Sequence, residues 1–205
     1  MTRLRAMILG MMALIFSGCS AQAQAQADAP APKAKEAKEM KENVKPQKIL
    51  IAYYSYSGNT RALAQSIQQA TGGELFEIVP VKAYPADYDA VVAEAKKEIK
   101  ADARPELKSK VANLADYDVI FLGSPNWWST LAPPVMTFLT SYDFAGKKIV
   151  PFVTHGGGGL AKCADDVKRL APKSDVLDAL SVSGSAVERS QGELHKWLRK
   201  LGMEK

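Results

Sequence analysis

The sequence predicts an α/β fold of the doubly wound class, a five-stranded parallel sheet with helices on both faces. Two observations predict it. From Lys48 onward, apolar runs of strand length alternate with segments of helical periodicity. The loops richest in Ser, Gly, Asn and Trp follow the first, third and fourth of those runs, at the ends where ligands sit in such sheets.

Each element has a local reason. Residues 48–54, KILIAYY, form a buried strand, and residues 61–70 set Ala62, Leu63, Ile67 and Ala70 on or near one helical face. Residues 74–79 are a second strand; Tyr84 to Tyr88 are a loop and cap leading into a helix over about residues 89–100. Residues 118–123 are the third strand, followed by a helix over 133–141 with prolines in its first turn. Residues 148–153 are the fourth strand despite Pro151. A helix over 160–171, a fifth strand over 175–182 and a closing helix over 191–201 complete the unit.

The chain of 205 residues, 47% hydrophobic and 24% charged, suits one ordinary globular domain preceded by something else. Residues 1–18 read as a signal peptide, with Arg3 and Arg5 before an apolar run from Ala6 to Phe16 and small residues at the cut. That run is well short of the roughly 20 residues that span a bilayer. Phe16-Ser17-Gly18-Cys19 resembles a bacterial lipobox, which implies an acylated Cys19 and a lipoprotein held at the membrane, facing the periplasm. The alternative is cleavage near Ala21-Gln22-Ala23, which would release a soluble periplasmic protein. Residues 19–47 then form an Ala/Gln- and Lys/Glu-rich linker with too few large apolar residues to bury a core. The folded domain is expected over 48–205. The chain's net charge of +5 sits mostly in the signal and linker, leaving about +1 beyond Lys48, so no nucleic-acid partner is expected.

The richest stretch is Ser55-Tyr56-Ser57-Gly58-Asn59-Thr60, a turn between the first strand and the first helix. Free N–H groups and the positive end of a helix dipole favour a dianionic phosphate there. Ser55, Ser57 and Thr60 add hydroxyl donors, Asn59 an amide, and Gly58 lets the backbone approach closely. The turn holds no Lys, so it is not a triphosphate-binding Walker loop; neutral donors around one phosphate suit a mononucleotide. Residues 51–67 resemble the phosphate loop of flavodoxins, which binds the FMN phosphate. Ala52 departs from that pattern, standing where a larger apolar residue is usual.

Two further loops strengthen the resemblance. Gly123 to Leu131 carries the pair Trp127-Trp128, and Thr154-His155-Gly156-Gly157-Gly158-Gly159 follows the fourth strand. His155 and the glycines also look like an esterase oxyanion loop, but no Gly-x-Ser-x-Gly nucleophile turn accompanies them. Over residues 48–201 the three loops in order are similar to a flavodoxin-like family, which implies strand order 2-1-3-4-5 and FMN as cofactor. The resemblance implies that Pro125, Asn126, Trp127 and Trp128 contact the flavin ring. Trp127 is the expected stacking residue and Trp128 the alternative. Thr154, His155, Gly156 and Gly157 would meet its N5/O4 and pyrimidine edge.

Other chemistries fit less well. A response-regulator receiver needs an Asp where Gly123-Ser124-Pro125 stands. Cys163 shares an apolar helix face with Leu160, Ala164, Val167 and Leu170 and reads as core, while His195 reads as solvated. Two His and scattered carboxylates predict no metal site. The expected function is electron transfer through FMN, with no catalytic acid, base or nucleophile, served by redox partner proteins or a membrane-bound donor. The alternatives are a flavin reductase of quinones or other small acceptors, with Trp128 and His155 lining an open ring face, and a non-redox binding module on the same fold.

Overall fold

Strand β1 (Ile49–Tyr53) divides the core, because successive side chains of a strand point to opposite faces. Leu50 and Ala52 join one buried cluster with Ile120, Leu122, Phe138 and Val167. Ile51 and Tyr53 join the other, with Leu63, Ile67, Phe121, Phe152, Leu194 and Trp197. A sheet buried on both faces needs a helical layer on each, and the chain supplies both. The computed structural model describes residues 47–205. The expected signal peptide, Cys19 and all but the last residue of the expected linker lie outside the described residues.

The strands are β1, β2 (Glu74–Glu77), β3 (Val119–Trp127), β4 (Thr130–Leu131), β5 (Lys148–His155), β6 (Asp175–Val176) and β7 (Leu180–Ser183). The α-helices are α1 (Asn59–Thr71), α2 (Tyr88–Lys100), α3 (Pro133–Thr140), α4 (Cys163–Leu170) and α5 (Gln191–Leu201). The sheet runs β2-β1-β3-β5-β6, parallel throughout, with β7 also on β5 and β4 antiparallel to β3. The expected 2-1-3-4-5 order is therefore present once the short β4 is set aside. Residues of α3 and α4 enter the first cluster and those of α1 and α5 the second, giving the doubly wound arrangement. Helix α2 starts where the sequence places its cap: the Asp87 carboxylate accepts from Ala90 N–H at 2.8 Å.

Three expectations need correction. The single fifth strand is two pieces, and Pro151 explains the break. Every second residue of a parallel strand bonds to the same neighbour. Leu177 N–H donates to Ile149 C=O at 2.9 Å, and the next residue of β5 on that side is Pro151, which has no N–H. The register then slips: Ile149 faces Val176 but Phe152 faces Leu180, leaving one extra residue opposite the proline. Second, the Trp-bearing segment is not an open loop. Strand β3 continues through Trp127 and turns back into β4, with Trp127 opposite Thr130. Trp128 and Ser129 make the turn with φ of 52° and 68°, the left-handed conformation that a primed two-residue hairpin turn requires. Third, α4 begins at Cys163 rather than at residue 160. Cys163 is fully buried, as its apolar face predicted, whereas His195 is only partly exposed and bonds Glu204 at 2.6 Å.

Candidate functional site

The carboxyl ends of β1, β3 and β5 bring the three sequence-singled loops together. At the first, Gly58 has φ of 92° and caps α1 without a side-chain cap bond. The first bond in the helical ladder runs from Ala62 N–H to Gly58 C=O at 2.9 Å, so the N–H groups of Gly58, Asn59 and Thr60 stand outside it. Ser55 Oγ accepts from Arg61 N–H at 3.2 Å, and Asn59 Nδ2 donates to Ser57 Oγ at the same distance. Ser57 is exposed, while Ser55, Gly58 and Asn59 are half-buried. The Arg61 guanidinium turns away from the turn to pair with Glu77 of β2, which raises its pKa further. What remains at the turn is a set of neutral donors at a helix N-terminus. That chemistry fits one phosphate monoester.

Thr60 differs from the other hydroxyls. It is buried, and its Oγ1 lies 2.8 Å from Thr154 Oγ1 at the end of β5, itself buried. The pair joins the first loop to the third through the interior.

At the second loop, Ser124 Oγ accepts Ala132 N–H at 3.0 Å, closing the base of the hairpin. Asn126 Nδ2 donates to Gly159 C=O at 2.8 Å, and Gly158 approaches the same amide so closely that a Cβ there would lie 3.2 Å from it. Lys162 N–H donates to Ser129 C=O at 3.1 Å, and the Thr130 hydroxyl donates to Asp166. Thus the second loop is fastened to the third. Pro125 is half-buried at the β3 position opposite Thr154.

The two tryptophans take different places. Trp127 packs edge-on against Tyr84, Tyr56 and Tyr54, with ring centroids 4.9, 5.9 and 5.6 Å away. Trp128 is 50% exposed; its indole N–H donates to Val92 C=O of α2 at 3.2 Å, and Lys96 Nζ lies 4.6 Å over its ring. Burial raises the pKa of Tyr54 and Tyr84 well above the ordinary phenol range. For Tyr84 the Glu98 carboxylate that accepts its hydroxyl adds to the effect. Both phenols are therefore neutral at physiological pH.

In the third loop, Gly157 N–H donates to His155 Nδ1 at 3.0 Å, so the neutral imidazole carries its proton on Nε2. Gly156 and Gly157 are exposed, and Gly157 has φ of 133°, which side chains rarely adopt.

Sequence reasoning missed three contributors. Tyr56 and Tyr84 join the Trp127 cluster, with Tyr56 Oη donating to Pro85 C=O at 2.7 Å. Gly184, just after β7, lies against Asn59, and a Cβ there would sit 2.5 Å from Asn59 Nδ2. The Ser183-Gly184 dipeptide at a strand end was the available signal. Among the described residues, no group of His, Cys, Asp and Glu is arranged to hold a metal ion.

Residues 48–201 match the family model described as Flavodoxin. Among solved structures, the chain is similar to a protein from Bacteroides uniformis described as a flavoprotein. Identity is 31%, covering 74% of this chain and 99% of that one, with a TM-score of 0.66. A flavoprotein in complex with FMN from Lactobacillus acidophilus is 27% identical, over 70% of this chain and 97% of that one, with a TM-score of 0.57. A relative from Cupriavidus metallidurans named NAD(P)H dehydrogenase (quinone) is 35% identical over 122 residues. This chain spans 57% of that relative's length.

Proposed function

The chain belongs to the flavodoxin family, and from that premise we propose that it binds FMN and passes electrons between redox partners. The observation that carries this reading is the 2.8 Å bond between Thr60 and Thr154, which holds the phosphate-suited turn and the glycine loop at one end of the sheet. In this reading Ser55, Ser57, Asn59 and the N–H groups of Gly58 to Thr60 hold the phosphate. The hairpin residues Pro125 to Trp128 and the loop Thr154 to Gly157 border the ring. Thr60 also fixes the spacing between the two groups of contacts. Bound FMN supplies one- and two-electron redox chemistry; the protein supplies orientation and tuning. His155, whose Nδ1 is taken by Gly157 N–H, offers the ring edge an Nε2–H donor.

The test is direct. Purified protein should carry FMN or take it up stoichiometrically with quenching of flavin fluorescence, and riboflavin should bind more weakly for want of the phosphate. Failure to bind FMN under reducing and oxidising conditions would leave only the non-redox binding module.

A second reading, reduction of a quinone or another small acceptor, is favoured by the named activity of the 35% identical relative. Steady oxidation of NADH or NADPH with a quinone, at tens of turnovers per second or more, would select it over the carrier. Exchange of electrons with a small redox protein and negligible NAD(P)H turnover is the result the carrier reading expects.

We also propose that Cys19 carries a lipid anchor that holds the domain on the extracytoplasmic side of a membrane. Cys19→Ala should abolish lipid labelling and membrane retention without altering FMN binding. A soluble wild-type protein beginning after Ala23 or Ala25 would overturn the anchor.

A further inference from the structure

The one side chain able to carry positive charge into the phosphate turn from α1 is held off it. Arg61 stands in the first turn of that helix, and its backbone N–H donates to Ser55 Oγ at 3.2 Å, so its side chain starts from within the turn. The guanidinium instead forks onto Glu77 at the end of β2, with Nε 3.3 Å from Oε2 and Nη2 on Oε1. Tyr53 faces Glu77 across the β1–β2 ladder, and its hydroxyl donates to the same Oε2 at 3.4 Å. We propose that Glu77 is a positioning residue that restricts the site to a flavin mononucleotide: by occupying Arg61 it denies a guanidinium to the second phosphate of a flavin dinucleotide. This rests on the FMN reading above and adds to it the choice between two flavin cofactors.

Space does not make that choice. On the β2 side of the turn lies a groove of about 560 Å³, lined by Ser55, Arg61, Glu77, Pro80, Tyr84 and Lys108 among others. That volume is within the usual range of small-molecule sites, so a dinucleotide held at the turn has room to run its second phosphate into the groove. Charge is the obstacle. To meet a second phosphate, Arg61 has to leave Glu77, whose side chain is only 32% exposed. The Tyr53 hydroxyl is then the carboxylate's remaining side-chain partner, and an unneutralised acid lines the groove that must take a pyrophosphate. Lys108 is the groove's other cation, and it lies beyond Val79, whose C=O accepts its backbone N–H at 2.8 Å. A single FMN phosphate makes no such demand, because the neutral donors at the start of α1 satisfy it.

The experiment is calorimetric titration of the full chain with FMN, FAD and riboflavin, in wild type, Glu77→Gln and the double variant Glu77→Gln/Arg61→Gln. Glutamine keeps the shape of the side chain and an acceptor for Tyr53 while removing the charge that holds Arg61. Wild type should bind FMN at least about tenfold more tightly than FAD, and in Glu77→Gln that ratio should shrink about fivefold or more as FAD gains the freed guanidinium. The gain should fade between about 20 mM and about 300 mM salt, because an exposed cation is screened. The double variant should return to the wild-type ratio, and riboflavin should bind all three proteins alike. A narrowed ratio that persists in the double variant would overturn the proposal, since Glu77 would then act by its own charge rather than through Arg61. FMN binding with the same FMN-to-FAD ratio in wild type and Glu77→Gln would overturn this inference alone. Failure of the wild type to bind FMN would overturn the functional reading together with it.

Discussion

Thr60 and Thr154, 94 positions apart, share a buried hydroxyl–hydroxyl hydrogen bond of 2.8 Å. The energetic consequence is asymmetric, because removing one partner strands the other away from water. We predict that Thr60→Val or Thr154→Val lowers unfolding free energy by about 1–3 kcal/mol, whereas the double variant costs much less than the sum. Urea denaturation of the four proteins measures this coupling. Additive losses would mean the two hydroxyls act independently.

The same residue offers a test of phosphate recognition. If the Thr60 hydroxyl or the spacing it maintains serves the phosphate, Thr60→Ala should weaken FMN by about tenfold to a hundredfold. Riboflavin should bind wild type and variant alike. Parallel losses for both ligands would put the phosphate elsewhere.

Gly157 is the glycine whose backbone matters most in its loop. Its φ of 133° is closed to ordinary side chains, and its N–H fixes the His155 tautomer. Gly156, its neighbour, has no positive φ, and a Cβ there would meet nothing within 4 Å. We predict that Gly157→Ala costs about 1–3 kcal/mol of stability and Gly156→Ala far less. Gly157→Pro also removes the N–H donor, so the redox potential of the FMN-loaded protein should shift more than FMN affinity does. Potentiometric titration beside fluorescence titration separates the two.

Gly184 acts through contact rather than through dihedral angle. A methyl group there would displace the Asn59 amide, the flexible end of a side chain, so folding should be little affected. FMN affinity should fall about threefold to thirtyfold in Gly184→Ala, with a melting temperature near that of wild type. A large stability loss with intact affinity would show that Asn59 is not a ligand.

Much of this was legible in the sequence because the signals were local. The alternation of apolar runs and helical faces gave the strand order's raw material, and the Ser55 to Thr60 turn announced itself by residue type. What escaped depends on long-range geometry. Pro151 looked like a difficulty within one strand, but its effect falls on the neighbour, where it separates β6 from β7. Trp128-Ser129 lacks the Asn-Gly or Asp-Gly that marks a two-residue hairpin, so β4 was invisible. The left-handed turn there is held by tertiary bonds, from Lys162 N–H to Ser129 C=O and from Trp128 to Val92. Likewise the tyrosines around Trp127 come from separate segments, and nothing in their spacing predicted one cluster.

Cys163 is fully buried at the start of α4; burial, aided by the nearby Asp166 carboxylate, pushes its thiol up to about 12 from an ordinary 9.0. The folded state thus holds this proton more tightly than the unfolded chain. Its contribution to stability is complete below the unfolded pKa near 9.0 and is lost as pH rises toward about 12. Tyr117, pushed up to about 12 by burial and by its hydrogen bond to Glu74, acts in the same direction from an ordinary 10.0, as do the raised Tyr54 and Tyr84. Wild-type stability should therefore fall above pH ~9 through the thiol and more steeply above pH ~10 as the tyrosines join it, by up to about 1.4 kcal/mol per pH unit for each such group. Cys163→Ala removes one of them. The variant starts lower at neutral pH because of its cavity, yet between about pH 9 and 11 it should lose about 1–2 kcal/mol less than wild type. Urea midpoints measured across that range test the difference in slope, which a packing defect by itself would not change. Parallel curves for the two proteins would show that the thiol ionises as readily in the folded state as in the unfolded one.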